Sequence, residues 1–354
     1  MQGVSFTGDR TLDFVAIDDP APAPNGIVLE IKASGLCGSD LKFYRAPRGG
    51  GLAALGFKGS GAPIIAGHEP CGVIAAIGRE VDPRRHRVGD RVMVHHYHGC
   101  DVCEHCRTGW TQMCVDGPMV YGVTGNGAHA PYMQVPASTL VSLPDELSFS
   151  TGAAISCGTG TAYGALARMN LSARDTIAIF GQGPVGLSAT QLAAAMGARV
   201  IAVDTSAARA TRATAFGATH TIVAGGGDAS EGDPVAAIQA LTGGRGVSCS
   251  LDTSGAAAGR SAAVRCAAAW GTVCFVGEGG QVTIDVSPEI LRKQLTIIGS
   301  WTFSTVGQAD CARFIADRGL PVDDLFTDRW TLGQAAEAYR VFDGQDTGKA
   351  VFLM

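Results

Sequence analysis

The segment "TIAIFGQGPVGLSATQLAAAMGARVIAVD", Thr176 to Asp204, leaves this chain fewer choices of fold than any other part of it. It reads as a β-branched strand, a glycine turn, an alanine-rich helix and a second apolar strand, which together make a βαβ unit. A G-x-G-x-x-G spacing alone is weak, but Gly181, Gly183 and Gly186 follow a strand and open a helix, the context that gives the motif meaning. The first glycine permits the tight turn, the second lets a pyrophosphate approach the backbone, and the third allows helix and strand to pack closely. Pro184 and Val185 lie within the same turn, and the helix N-terminus that follows favours an anion. Asp204 ends the second strand about 20 residues later, where a carboxylate accepts the ribose hydroxyls and repels a 2′-phosphate. Arg209 follows and would attract that phosphate or simply be solvated, so the cofactor reading is NAD in preference to NADP. Downstream, "VSCSLDTSG", "GTVCFVGEGG" and "LTIIGS" read as further strands and "GRSAAVRCAAA" as a helix. The expected class is α/β with a doubly wound parallel sheet.

A chain of 354 residues exceeds what one hydrophobic core usually supports, so a second domain is expected. Residues 1–145 are rich in short strands and turns, including "GIVLEIKAS", "CGVIAAIG" and "GDRVMVHH", and the prolines of "VPASTLVSLPDELSF" mark the boundary. The nucleotide-binding domain then spans 146–300. A net charge of -5, with no Lys/Arg run, supplies no field for a phosphate backbone, so nucleic acid is not an expected partner. The N-terminus lacks the pattern of a secretory signal, and no apolar run reaches the roughly 18 residues of a membrane span. A cytoplasmic location is expected. Eleven cysteines, an odd number, then suit reduced thiols or metal ligands better than disulfides.

Four of those cysteines crowd into the stretch 98–115: Cys100, Cys103, Cys106 and Cys114. Two C-x-x-C steps and a return let short loops aim four sulfurs at one point, as tetrahedral zinc requires. Such a site has no vacancy, so it would hold a loop together and leave the chemistry elsewhere. Read as a strand, "VMVHHYHGC" places His96 and His98 on one face and His95 on the other, which argues for packing or surface histidines rather than ligands.

Further ligand types occur in "GLCGSD" (35–40), "AGHEPCG" (66–72) and "ISCGTGTAYGAL" (155–166). With these segments, the four-cysteine lobe and the dinucleotide turn in this order, the whole chain resembles the zinc-dependent alcohol and polyol dehydrogenases of the medium-chain dehydrogenase/reductase superfamily. The resemblance implies a Rossmann domain beside a β-rich GroES-like catalytic domain, to which residues 301–354 return. It also implies a catalytic zinc on Cys37, His68 and Cys157, making two zinc ions per chain. One imidazole and two thiolates are a recognised catalytic set with an open fourth position. Polyol enzymes of the superfamily often have Glu where Cys157 stands; Glu69 is an alternate ligand, with the softer thiolate of Cys157 preferred. Asp40 is expected to accept the other ring N–H of His68. Ser39 falls where the family places the group that takes the substrate's hydroxyl proton. Lys42 replaces a relay histidine of many relatives and is left out of the catalytic set.

By this resemblance the chain transfers hydride between NAD(H) and a secondary alcohol, polyol or sugar alcohol, reversibly, and a homo-oligomer, dimer or tetramer, is expected. Two alternatives stand beside it: amino-alcohol oxidation of the threonine-dehydrogenase type, and a non-catalytic dinucleotide-binding zinc protein acting as sensor or scaffold. Residues 44–63 read as a glycine-rich loop that covers substrate, with Tyr44, Tyr121, Trp301 and Phe303 as candidate pocket walls. Cys71, Cys249, Cys266, Cys274 and Cys311 read as small core residues.

Overall fold

The glycine-turn segment folds into strand Thr176–Phe180, helix Pro184–Ala195 and strand Arg199–Asp204. The computed structural model describes residues 1–48, 62–225, 232–345 and 348–354. Within them, six strands form one sheet in the order His220–Val223, Arg199–Asp204, Thr176–Phe180, Val247–Asp252, Ala267–Phe275 and Thr296–Gly299. Every neighbouring pair is parallel. The chain enters at an inner strand, runs to one edge, then crosses back to fill the other half, so the order reverses at Thr176–Phe180. Strands covered by helices on both faces are apolar throughout rather than alternating, and Ile177 to Phe180 and Val200 to Val203 are all buried. This is the doubly wound sheet expected.

A second sheet of seven strands is built around the long strand Gly26–Leu36. That strand pairs antiparallel with Pro70–Ile77, Tyr132–Pro136 and the C-terminal Lys349–Leu353. One cluster, with Ile27, Leu29, Ile31, Ile74 and Met133, fills one side. A separate cluster, with Val4, Leu36, Leu41, Tyr339 and Phe352, ties the N-terminal hairpin to the C-terminal helix Ala335–Asp343.

The chain divides into one unit of residues 1–160 with 304–354 and another of 161–303. The first division thus falls beyond the proline-marked 145/146, and the second falls at 303/304 rather than 300/301. The reason for the first is helix Phe149–Ile155: it is capped by Ser148, whose hydroxyl accepts from Thr151 N–H, and nearly all its residues after Phe149 are buried. That helix packs on strands Gly26–Leu36 and Pro70–Ile77, so it belongs with the β-rich unit. No helix among the described residues is long and apolar enough to cross a membrane.

Candidate metal centre and dinucleotide turn

Strand pairing assembles the first cluster. Ser34 lies opposite Pro70 in the antiparallel ladder, so Cys37, just past the end of one strand, comes beside His68 and Glu69, just ahead of the other. Gly35 N–H donates to the carbonyl of Glu69 at 3.1 Å, and a Cβ on Gly35 would collide with the Glu69 carboxylate. Cys157 arrives from the end of helix Phe149–Ile155, anchored by Ser156, whose hydroxyl donates to the Pro70 carbonyl at 2.9 Å. One ligand atom from each of Cys37, His68, Glu69 and Cys157 lies within 4.8 Å of the others.

The donor set fits zinc. Zn–S bonds of about 2.3 Å at a tetrahedral angle put two sulfurs about 3.8 Å apart, and Cys37 Sγ lies 3.9 Å from Cys157 Sγ. A hydrogen bond from Cys157 holds Cys37 well below the usual thiol range despite burial, and that same contact pushes the Cys157 thiol up. His68 Nδ1 faces Asp40 Oδ1 at 2.9 Å, leaving Nε2 turned toward the cluster and 3.2 Å from Ser39 Oγ. Burial opposes a charge on this imidazole, but Asp40 and Cys37 outweigh it and raise its pKa well above the ordinary value. Glu69 Oε1 is buried without a hydrogen-bond partner, while Lys349 pairs with the other oxygen. Lys42 is exposed, in the last turn of the short helix Asp40–Tyr44.

The sulfurs of Cys100, Cys103, Cys106 and Cys114 also converge within 4.8 Å. Backbone N–H groups of Cys100, Cys103 and Cys106 point at the Sγ atoms of Cys114, Cys100 and Cys103, at 3.3, 3.4 and 3.5 Å. Such N–H···S bonds favour thiolates, and at Cys103 they bring the pKa down to about 6. A Cβ on Gly99 would come 2.3 Å from Cys106 Sγ, so the loop closes only with glycine there.

In the dinucleotide turn, Gly181 takes φ +90 and a Cβ on Gly186 would lie 1.7 Å from the Gly181 carbonyl oxygen. These are the tight turn and the close helix approach expected of the two positions. Gly183 caps helix Pro184–Ala195, and a Cβ there would meet nothing, so the backbone is open to a ligand. Pro184 and Val185 form the helix's first turn. Asp204 is buried; its Oδ2 accepts from Gln182 N–H at 2.6 Å and its Oδ1 from Ser206 N–H at 2.8 Å. Arg209 lies in the first turn of helix Ala207–Ala215.

Several expectations are corrected. His95 and His96 are not strand residues: they lie between strands Arg91–Val94 and Tyr97–His98, both buried, with rings stacked 5.9 Å apart. His96 is next to the first cluster, its ring 5.4 Å from that of His68 and its Nδ1 donating to the Ser156 carbonyl at 2.7 Å. Tyr44 and Tyr121 are core residues, and Phe303 is buried against Gly164. Trp301 is partly exposed and donates to Glu278 Oε1 at 2.9 Å. Of the 44–63 loop, residues 49–61 lie outside the described residues. The five remaining cysteines are buried as expected. Lys349, His96, His129 and Tyr339 around the cluster carry no local sequence signal; only the long-range pairing of the C-terminal segment brings in Lys349 and Tyr339.

Two family models match the chain: an alcohol dehydrogenase GroES-like domain over residues 23–145 and a zinc-binding dehydrogenase over 184–317. The zinc-type alcohol dehydrogenase-like protein YphC of Escherichia coli (strain K12), itself described as uncharacterized, is 38% identical over 355 residues, spanning 99% of this chain and 98% of that one. Sorbitol dehydrogenase of Bacillus subtilis (strain 168) is 32% identical over 340 residues, 96% of this chain and 92% of that one. Among solved structures, alcohol dehydrogenase TADH from Thermus sp. ATN1 matches with a TM-score of 0.87 at 26% identity, covering 100% of this chain and 99% of that one. On these relatives and its two matched domains, the chain belongs to the zinc-type alcohol and polyol dehydrogenases of the medium-chain dehydrogenase/reductase superfamily, a family of oxidoreductases.

Proposed function

We propose that this protein is a zinc- and NAD-dependent dehydrogenase that oxidises a secondary hydroxyl of a polyol or sugar alcohol to the ketone, reversibly. The observation that carries the reading is the convergence of Cys37, His68 and Cys157 beside the Ser39 hydroxyl. Bound by these three, zinc supplies Lewis-acid polarisation of the substrate oxygen, and NAD supplies the hydride acceptor. Cys37 and Cys157 contribute two negative charges that balance the ion, and His68 contributes Nε2. Asp40 keeps the His68 proton on Nδ1. Ser39 receives the substrate's hydroxyl proton and passes it outward through water. Glu69 is a nearby alternate ligand, restrained by Lys349. Cys100, Cys103, Cys106 and Cys114 hold a second, structural zinc.

The pyrophosphate is bound at Gly181, Gly183 and Gly186 and the first turn at Pro184 and Val185. Asp204 recognises the ribose hydroxyls and disfavours a 2′-phosphate, with Arg209, in the first turn of the next helix, a further cofactor-binding candidate. The polyol assignment draws on the sorbitol dehydrogenase relative. A panel following NADH absorbance over short alcohols, four- to six-carbon polyols and L-threonine tests it. Turnover greatest with a polyol is expected; turnover confined to L-threonine, or absent throughout, overturns it. Metal analysis giving about two zinc ions per chain is expected, whereas about one would favour a scaffold that keeps only the structural ion.

A further inference from the structure

Asp40 is the carboxylate that holds His68, and the structure shows what holds Asp40. Its Oδ1 faces His68 Nδ1 at 2.9 Å; its Oδ2 accepts from Cys37 N–H at 2.9 Å and from the Tyr339 hydroxyl at 3.2 Å. Tyr339 lies on the C-terminal helix, is buried, and its oxygen is 2.7 Å from Nε2 of His129, also buried. The other ring nitrogen, Nδ1, lies 2.7 Å from Ser34 Oγ, again with no solvent exposure.

The proton directions in this row are determined. A carboxylate only accepts, so the Tyr339 proton points at Asp40 and the Tyr339 oxygen must accept from His129 Nε2–H. Burial pushes the His129 pKa down to about 4, so the ring is neutral and its Nδ1 is an acceptor, filled by the Ser34 hydroxyl. Ser34 therefore donates to His129, His129 to Tyr339 and Tyr339 to Asp40. Hydrogen bonds aligned head to tail polarise one another, and every buried polar atom in the row has its partner. An apolar pair at 129 and 339 would fill the same volume without that requirement. The His129 ring also lies against the segment carrying His68: a Cβ on Gly67, at φ +90, would come 2.3 Å from His129 Nδ1.

We infer that Ser34, His129 and Tyr339 form a directed hydrogen-bond chain that fixes Asp40 and, through it, positions His68 for metal binding. This rests on the proposed zinc set of Cys37, His68 and Cys157. With the Tyr339 donor in place, Asp40 holds one orientation and the lone pair of His68 Nε2 stays aimed at the cluster. None of the three belongs to the ligand cluster of Cys37, His68, Glu69 and Cys157; they are positioning residues.

Tyr339→Phe removes one oxygen and keeps the ring, which packs edge-on against Phe6 at 4.9 Å. Zinc affinity is read on the whole protein by competition with a chromogenic chelator, and the cobalt-substituted protein gives a visible spectrum. The affinity of one of the two ions should fall about 10- to 100-fold, with the four-cysteine ion unchanged and the cobalt bands of the other site shifted. His129→Phe should move both readouts the same way by less, and His129→Gln, which restores an N–H donor toward Tyr339, should recover part of the loss. If Tyr339→Phe fails to fold, the two His129 variants carry the test. Folded variants with parental affinity and parental cobalt bands would overturn the positioning role alone. A parent protein that binds about one zinc would overturn the zinc set, and this inference with it.

Discussion

Lys349 Nζ lies 2.5 Å from Glu69 Oε2, and both side chains are buried. Lys349 opens the C-terminal strand, Glu69 directly follows His68, and Lys349 Nζ also donates to the Leu36 carbonyl at 3.3 Å. Burial works against a charged ammonium, but Glu69 and Cys37 outweigh it and raise the Lys349 pKa. Removing one partner of a buried pair leaves the other uncompensated, at a cost of up to about 3–5 kcal/mol; burial already pushes the Glu69 carboxyl up to about 8, so taking up a proton lessens that cost. Lys349→Met should lower the unfolding free energy in urea by up to that amount. The double variant Lys349→Met/Glu69→Gln should recover more than half of it. Equal losses in the single and double variants would show that the two residues do not act as a pair.

The two cysteine clusters should respond differently to the loss of one thiolate. Cys37→Ser should lower the zinc content from about two to about one and reduce turnover at least about a thousandfold, since Lewis-acid stabilisation is worth several kcal/mol. NADH binding, followed by fluorescence, should be retained, because the dinucleotide turn lies in the other unit. Cys106→Ser should also lose about one zinc, but its effect should appear first as a lower melting temperature. Undiminished turnover in Cys37→Ser would remove that residue from the site.

What the sequence made legible was whatever rests on short-range spacing. Gly181, Gly183 and Gly186 sit within a few residues, and each answers to a local backbone demand that the structure shows at Gly181 and Gly186. Cys100 to Cys114 likewise converge through short loops. Cys37, His68 and Cys157 are far apart in the chain, and only the resemblance brought them together before the strand register did. Lys349, Tyr339 and His129 stayed hidden because lysine, tyrosine and histidine in those stretches look like ordinary helix, strand and loop residues. His96 packs beside the ligands rather than among them, as expected, but not for the reason expected: alternation assigns faces only if the strand continues, and it breaks at His95 and His96. The boundary near residue 145 followed prolines, whereas the burial of helix Phe149–Ile155 decides where the unit ends.

Asp204 has a structural role beside the recognition role proposed for it. Its oxygens accept from Gln182 and Ser206 N–H, which ties the glycine turn to the end of strand Arg199–Asp204. Asp204→Asn removes the negative charge and one of the two acceptors. The preference for NAD over NADP, as a ratio of kcat/KM values, should fall at least about tenfold, equivalent to about 1.4 kcal/mol. Stability should fall by about 1–3 kcal/mol as one backbone amide loses its partner. An unchanged cofactor ratio with lowered stability would leave Asp204 a purely structural residue.

Stability should decline between about pH 6.5 and pH 4, ahead of the usual acid unfolding of carboxylates. His95 and His129 are both buried, and desolvation is the main cause that pushes each down to about 4, against the Gln308 and Gln112 contacts of His95 and the Asp40 charge facing His129. The unfolded chain binds a proton at each histidine below about pH 6.5 while the native state does not, so ν for the unfolded state exceeds that of the native state and stability rises with pH. Each residue accounts for up to about 3 kcal/mol, fully lost near pH 4 and restored above about pH 6.5. Asp343 acts in a lower window: against burial, Arg45 and Arg10 hold its carboxyl below the usual range, so its contribution is lost only as pH falls below about 4. Burial pushes His96 down as well, so urea unfolding at intervals from pH 8 to pH 4 should show the decline, with a shallower slope, not an absent one, in His129→Phe. A parental slope in that variant would show that His129 takes up no proton on unfolding.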